Sequence, residues 1–272
     1  PIHEARERFR SRAARSVRIG GMVMSGETKS VRGGMQNLLR MIFPPQCINC
    51  KEPVASEYGL CAACWHRTPF VTGLACDKCG IPLLGEDEGT AEFCDDCITI
   101  ARPWDRGRAA FLYRDIGRRL VLAIKHGDRL DLVRPAGDWL ARAATPILRS
   151  DMLVAPVPIH RMRLLRRRFN QSALLSREMA RCCDLEHCPD LLIRLHKTAT
   201  QDGRSRQARF ENVSGAITIH PRHCERIGGR NILLIDDVMT SGATLAASAD
   251  ACLCAGAASV SVVVLARVAK EA

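Results

Sequence analysis

Aromatic side chains are scarce: seven Phe, three Trp and two Tyr in 272 residues. A surface that grips single-stranded nucleic acid by stacking needs exposed rings. Such a surface would have to draw on Trp65, Phe70 or Trp104. No apolar run is long enough to cross a bilayer as a helix, so membrane insertion is not expected. Residues 1–34 carry Arg6, Arg8, Arg10, Arg12, Arg15 and Arg18 but no apolar core of a secretory signal. A cytoplasmic, reducing location is therefore expected, which argues against a disulfide framework for the 14 cysteines. Acidic residues are the minority, 29 against 40 Lys and Arg, giving a formal charge of +11. Eight of the basic and three of the acidic residues fall in 1–34. That stretch begins without Met and contains Met22 and Met24; it reads as a disordered basic tail or an upstream extension. The remaining basicity suits a phosphate-rich ligand or a nucleic acid and does not choose between them.

The cysteines that are present follow a pattern. Cys47 and Cys50, Cys61 and Cys64, Cys76 and Cys79, and Cys94 and Cys97 form four CxxC pairs. Each pair offers two thiolates from one tight turn to a tetrahedral ion. Eight thiolates make two four-thiolate sites, so two structural Zn2+ ions are expected, with no open coordination position for a substrate. Sequential pairing gives two zinc ribbons; a cross-braced pairing fits the spacing as well. Two such sites would lower the net charge to about +7. Of the other cysteines, Cys252 and Cys254 read as small apolar residues of a helix, and Cys182, Cys183 and Cys188 with His187 are a weak metal candidate.

Three regions follow: 1–34, a basic tail; 35–103, a double zinc-ribbon module opening with a short amphipathic helix over 35–43; and 104–272, an α/β domain. In the last, strands are expected over 109–113, 152–157, 191–195, 216–219, 232–235 and 259–265. Helices are expected over 116–126, 131–148, 171–182 and 243–255. Strands buried on both faces and joined by helices imply a mostly parallel sheet. Ligands of such sheets bind at the carboxyl ends of the strands.

The stretch from Asn231 to Thr244 has the most to say about function. An apolar strand runs into Asp236 and Asp237, then Val-Met, then Thr240, Ser241, Gly242, Ala243 and Thr244, then an Ala-rich helix. The turn offers backbone N–H groups and hydroxyls at a helix N-terminus, a place for a phosphate. Two adjacent carboxylates at a strand end, near solvent, suit the vicinal hydroxyls of a sugar. The stretch resembles the PRPP-binding motif of type I phosphoribosyltransferases. That resemblance implies that Asp236 and Asp237 hold the ribose, that 240–244 cradles the 5-phosphate, and that Mg2+ accompanies PRPP.

A second strand, 152–157, leads into Pro158, His160, Arg161, Arg163, Arg166, Arg167, Arg168, Phe169, Asn170 and Gln171 before a helix. Guanidinium forks suit pyrophosphate. Val-Pro followed by Arg and Arg-Phe-Asn-Gln is similar to the hallmark of the ComF family, competence protein F and its relatives. The end of the helix at Lys125, His126, Gly127 and Asp128 resembles another element of that family, with His in place of Tyr and one residue fewer before Gly. Arg168 stands where many relatives have Gly. The resemblance makes Arg161, Arg168, Asn170, Gln171 and Lys125 candidates for pyrophosphate or phosphate binding. It implies a double zinc ribbon joined to a type I phosphoribosyltransferase-like domain. The polar segment 194–209 would be the loop that closes over the site.

The resulting expectation is a PRPP-binding protein acting in DNA uptake or processing during natural transformation. Single-stranded DNA and a competence helicase are the partners that the resemblance implies. The competing reading is an active phosphoribosyltransferase, releasing pyrophosphate from PRPP, or a PRPP sensor with no DNA role. Catalytic residues, the acceptor of the ribosyl group and the oligomeric state are not readable.

Overall fold

The computed structural model describes residues 43–126, 129–159, 170–195 and 215–269. The basic tail, nearly all of the 35–43 helix, the arginine segment 160–169 and most of the 194–209 loop lie outside the described residues. The chain divides into two compact units, Pro1–Trp65 and His66–Ala272, a boundary that falls inside the cysteine-rich region.

The described part of the first unit is built around a CxxC turn. Cys47 N–H donates to Glu52 O at 2.7 Å and Lys51 N–H returns to Cys47 O at 3.0 Å. Gln46 and Pro53 form an antiparallel bridge across the turn. A short helix, Ala62–Arg67 (α1), carries Cys64.

In the second unit a further turn at Cys76–Cys79 and a five-residue helix, Asp95–Thr99 (α2), precede the sheet. Five strands follow: Arg106–Leu112 (β1), Met152–Pro156 (β2), Glu186–His187 (β3), Asn231–Met239 (β6) and Ser259–Arg267 (β7). Their order is β1-β7-β6-β2-β3 and every pairing is parallel. Ile232, Leu233, Leu234, Ile235, Val260, Val262, Val263 and Val264 are fully buried, as strands covered on both faces must be. Helices Asp115–His126 (α3), Val133–Ala144 (α4), Gln171–Cys183 (α5), Cys224–Ile227 (α6) and Ala243–Cys254 (α7) supply the cover. Gly256, at φ 90°, follows α7, the left-handed exit that ends a helix.

Two short strands, Leu192–Arg194 (β4) and Ile217–Ile219 (β5), pair antiparallel as a separate ribbon. Both were expected as strands, but a three-residue apolar run does not disclose its pairing direction. One buried cluster joins Leu153, Ala155, Ile232, Leu234, Val260, Val262 and Val264 of the sheet to Leu245, Ala249 and Cys252 of α7, and to Cys76, Cys79 and Trp104. The second cysteine turn is thus part of the sheet's core.

Candidate functional site

β6 outruns its neighbour. β2 ends at Pro156 opposite Ile235, and β6 continues through Asp236 and Asp237 to Met239. The carboxylates therefore emerge where the adjacent strand has stopped. Asn170 caps α5, accepting from Ser172 N–H at 3.1 Å and donating Nδ2 to Val157 O at 3.3 Å. This cap places Ser172 so that its hydroxyl donates to Asp236 Oδ1 at 2.8 Å. The Asp237 N–H donates to the same oxygen at 2.9 Å. Lys125, in the last turn of α3, sets Nζ 3.1 Å from Asp237 Oδ2. Gln171 Nε2 donates to Lys125 O at 3.4 Å and ties α3 to the start of α5.

Both carboxylates are only partly exposed, deeper than the solvent-facing position expected for them. Burial, reinforced by the charge of Asp237, pushes the Asp236 carboxyl up to about 7, against the Ser172 hydroxyl, the Asp237 amide and Lys125, which favour its ionised form. Asp237 has a cationic partner; Asp236 has hydrogen bonds. Near neutral pH the Asp236 carboxyl can exchange a proton.

Beyond Met239 the chain turns through exposed Thr240, buried Ser241 and Gly242 into α7. Gly242 adopts φ +81°. A Cβ there would lie 2.7 Å from Arg102 Nη1 and 3.2 Å from the Trp104 ring, so both conformation and space require glycine. The first turn of α7 holds no acidic residue. Asp236, Val238, Met239, Thr240, Gly242, Ala243, Thr244 and Leu245 line an open hollow at this helix N-terminus, where the helix dipole and free amides favour an anion.

The residues read from the sequence thus converge: Asp236, Asp237, Thr240, Gly242, Ala243, Thr244 and Lys125 meet at one strand end, with Ser241 buried beneath the turn. Asn170 and Gln171 are adjacent, and their side chains hold helix ends together. Arg161 and Arg168 lie outside the described residues. Ser172 was missed; its place two residues after the cap was the available signal. Arg102 and Arg267 were missed too. Arg102 donates Nη1 to Ser241 O at 2.6 Å, and Arg267 donates Nη1 to Met239 O at 3.2 Å and Thr240 O at 2.8 Å.

The rings on which a stacking surface would have to draw are mostly engaged. Trp104 is 1% exposed and donates Nε1 to Lys78 O at 2.6 Å. Phe70 packs edge-on against Phe111 and Trp139, with ring centroids 6.0 and 5.5 Å away. Trp65 remains 45% exposed.

The cysteines group sequentially. Cys47, Cys50, Cys61 and Cys64 form one set and Cys76, Cys79, Cys94 and Cys97 the other, with the sulfurs of each set within 4.8 Å of one another. Cys50 Sγ and Cys61 Sγ are 3.6 Å apart, as are Cys79 Sγ and Cys94 Sγ. A tetrahedral ion with Zn–S bonds of about 2.3 Å separates its sulfurs by about 3.8 Å, so the sets fit zinc. In the second set, hydrogen bonding from Cys79 and Cys97 holds the Cys76 thiol well below its ordinary range, while Cys76 and Cys79 push Cys97 well above it. Sulfurs so crowded cannot all keep their protons comfortably, which suits thiolates shared by a cation.

Cys188 approaches Asp190 and His223, not Cys182 or Cys183. His187 instead bonds the Ser176 hydroxyl at 2.8 Å. His223 Nε2 pairs with Asp190 Oδ1 at 2.8 Å, and the Arg226 guanidinium lies 3.7 Å from Cys188 Sγ, so this group is satisfied without a metal. Cys252 is buried as expected; Cys254 is exposed.

A pair of four-cysteine ribbon sites and a parallel α/β domain with paired carboxylates at a strand end define the class. The double zinc ribbon domain family matches residues 38–98. The chain is 30% identical over 235 residues to the DNA utilization protein YhgH of Salmonella typhi, covering 84% of this chain and 99% of that protein. It is 27% identical over 212 residues to Competence protein F of Haemophilus influenzae, covering 75% and 88%. Competence protein ComFC of Bacillus subtilis is 28% identical over 194 residues, covering 68% and 74%. The chain belongs to the ComF family. Among solved structures, a glutamine PRPP amidotransferase from B. subtilis aligns with 53% of this chain and 30% of its own at 16% identity and a TM-score of 0.36, a likeness too loose to carry an argument. Among the described residues no helix is long and apolar enough to cross a membrane.

Proposed function

We propose that this protein binds PRPP with Mg2+ in the hollow between Asp236 and the start of α7, and that it serves DNA uptake or processing. One observation carries the ligand reading: Asp236, the first of two adjacent carboxylates, and the N-terminus of α7 line the same small hollow at the end of β6, with Asp237 beside it paired to Lys125. A ribose 5-phosphate has vicinal hydroxyls at one end and a phosphate at the other. Asp236 and Asp237 would accept from the hydroxyls, and the amides and hydroxyls of 240–244 would hold the phosphate. Mg2+ would accompany PRPP and offset its phosphate charge, with Asp236 and Asp237 the carboxylates at hand, since it binds phosphates with few protein ligands. Lys125 and the arginines of 161–168 would meet the pyrophosphate. The DNA role rests on relatives named for DNA utilization and competence. A location in the cytoplasm and a helicase partner belong to the same proposal.

A second reading, turnover as a phosphoribosyltransferase, draws support from Asp236. A carboxyl titrating at about 7 is suited to proton transfer at neutral pH. In either case two zinc ions would be structural.

Calorimetric titration of the purified protein with PRPP and Mg2+, and separately with a single-stranded oligonucleotide, tests the proposal. Wild type should bind both. Replacing Arg166, Arg167 and Arg168 with Ala should weaken both ligands and flatten the salt dependence of oligonucleotide binding by about 0.7 log units per lost phosphate contact. Wild-type slope and affinity for the oligonucleotide in the triple variant would remove the segment from DNA binding and leave a PRPP enzyme or sensor as the better reading.

A further inference from the structure

Two buried guanidinium groups frame the 240–244 turn. Arg102 is 8% exposed and Arg267 is 3% exposed. Arg102 holds Ser241 O, and one nitrogen of Arg267 holds Met239 O, Thr240 O and Val268 O. Nε of both residues is buried without an acceptor, and among the described residues neither side chain meets a carboxylate. Buried cations offset only by carbonyl dipoles are costly to maintain. They become favourable when an anion settles nearby.

The same contacts orient the turn. In a trans peptide the N–H of the next residue points opposite to the carbonyl. Drawing Thr240 O and Ser241 O back toward the guanidiniums therefore turns the amides of Ser241 and Gly242 the other way. Those two amides have no acceptor among the described residues.

Arg102 is itself held in place. Its guanidinium lies 5.4 Å from the centre of the Trp104 ring. Trp104 is locked to the second cysteine turn by two hydrogen bonds, Trp104 Nε1 to Lys78 O and Lys78 Nζ to Trp104 O, both 2.6 Å. Lys78 sits between the ligands Cys76 and Cys79. A continuous path of contacts thus runs from the second cysteine cluster through Lys78, Trp104 and Arg102 to Ser241 and Gly242.

We propose that Arg102 and Arg267 are positioning residues that hold the 240–244 turn in its anion-binding form, and that metal at Cys76, Cys79, Cys94 and Cys97 maintains that form through Trp104. This rests on the turn being the phosphate site of the proposed function. Neither arginine is placed against the ligand; both act through the backbone they hold.

The test uses the full chain with Arg102→Met, Arg102→Lys and Cys94→Ser. The readouts are metal content, hydrogen exchange of a peptide spanning the start of α7, and affinity for PRPP with Mg2+. Ala246 N–H, which donates to Gly242 O at 2.8 Å, reports whether the first turn is formed. Arg102→Met should keep two equivalents of zinc, speed exchange at Ala246 and weaken PRPP by about tenfold or more, the loss of a charged hydrogen bond. Arg102→Lys should fall between it and wild type. Cys94→Ser should lose one zinc and show the same loosening. Wild-type exchange and affinity in Arg102→Met and Arg102→Lys would overturn the proposal, as would wild-type exchange in a Cys94→Ser protein that has lost its metal. If wild type binds neither PRPP nor inorganic phosphate, the ligand reading fails, and exchange at Ala246 alone decides whether the arginine holds the turn.

Discussion

The two cysteine clusters share a motif and differ in their settings. In the first, Asn49 Nδ2 donates to Cys64 Sγ at 3.2 Å, Cys50 is exposed, and the set belongs to the unit Pro1–Trp65. In the second, every residue between the ligands of the first pair is engaged with the sheet or its approach. Asp77 lies between Arg106, at 2.9 Å, and Arg108, at 2.5 Å, both on β1. Asp77 O accepts from Gly107 N–H at 2.6 Å. Gly80 lies so close to β1 that a Cβ would come within 2.4 Å of Ala109 N. The same CxxC pairs, separated by 10 residues in the first set and 14 in the second, thus yield two four-cysteine sets, of which the second is built into the wall behind the candidate ligand site.

The sharpest break in that comparison should come from the second cluster. Cys76 is fully buried among core residues of the sheet. Cys76→Ser should release one zinc and destabilise the His66–Ala272 unit by about 3 kcal/mol or more, since metal binding is folding free energy for such sites. Denaturant unfolding with metal analysis checks this; a protein that loses the ion yet unfolds at the wild-type midpoint would contradict it.

Next in size is Asp77→Asn. Burial alone would raise the Asp77 carboxyl, but hydrogen bonds from Arg106 and Arg108, helped by their charge, hold it below the usual range. A depressed folded value means that the stabilisation is present above the unfolded value, about 4, and is lost as pH falls through the folded value. Asn should cost about 2–3 kcal/mol at pH 7 and narrow its deficit in acid, as Arg108, mostly buried, loses its partner. Unfolding curves from pH 7 down to pH 2 supply the check.

Asp236 has the opposite sign. With its folded value raised to about 7, the native state holds a proton that the unfolded chain has lost. This carboxyl's contribution is therefore fully favourable below about 4 and falls as pH rises to about 7, by at most about 1.4 kcal/mol per pH unit. Asp236→Asn should flatten that slope. The same slope in both proteins would mean that the group is not raised.

The smallest effect on the sheet should come from Cys61→Ser. It should release one zinc and loosen the first unit while leaving the exchange of Ala246 as in wild type. Exchange at Ala246 rising as in a second-cluster variant would erase the distinction between the clusters.

The legible parts of this protein are those whose chemistry is local in sequence. Asp236, Asp237 and 240–244 follow one another along a single strand, turn and helix, and the CxxC pairs are two-residue turns. Both could be read directly, although spacing left the cysteine pairing open until the sulfurs were seen to group sequentially. What escaped was distant. Arg102 reaches Ser241 across 139 residues, and Ser172 reaches Asp236 across 64. Lone Arg and Ser residues carry no pattern, so nothing marked them. Trp104 is one of the few rings on which a stacking surface would have to draw, yet its place is under Gly242, where a large flat side chain fills the wall. The exposure of Asp236 was likewise misjudged, since a strand end is open only as far as the neighbouring helices allow, and α5 closes over it through Ser172.

The account turns on whether the carboxylates at the end of β6 hold a ribose phosphate. Calorimetric titration of PRPP with Mg2+ into wild type, Asp236→Ala and Asp237→Ala tests this directly. Each substitution should weaken binding by roughly 10- to 150-fold, the worth of one hydrogen bond to a charged group, while thermal unfolding stays cooperative. Wild-type affinity in both folded variants, or no binding by wild type itself, would contradict the assignment.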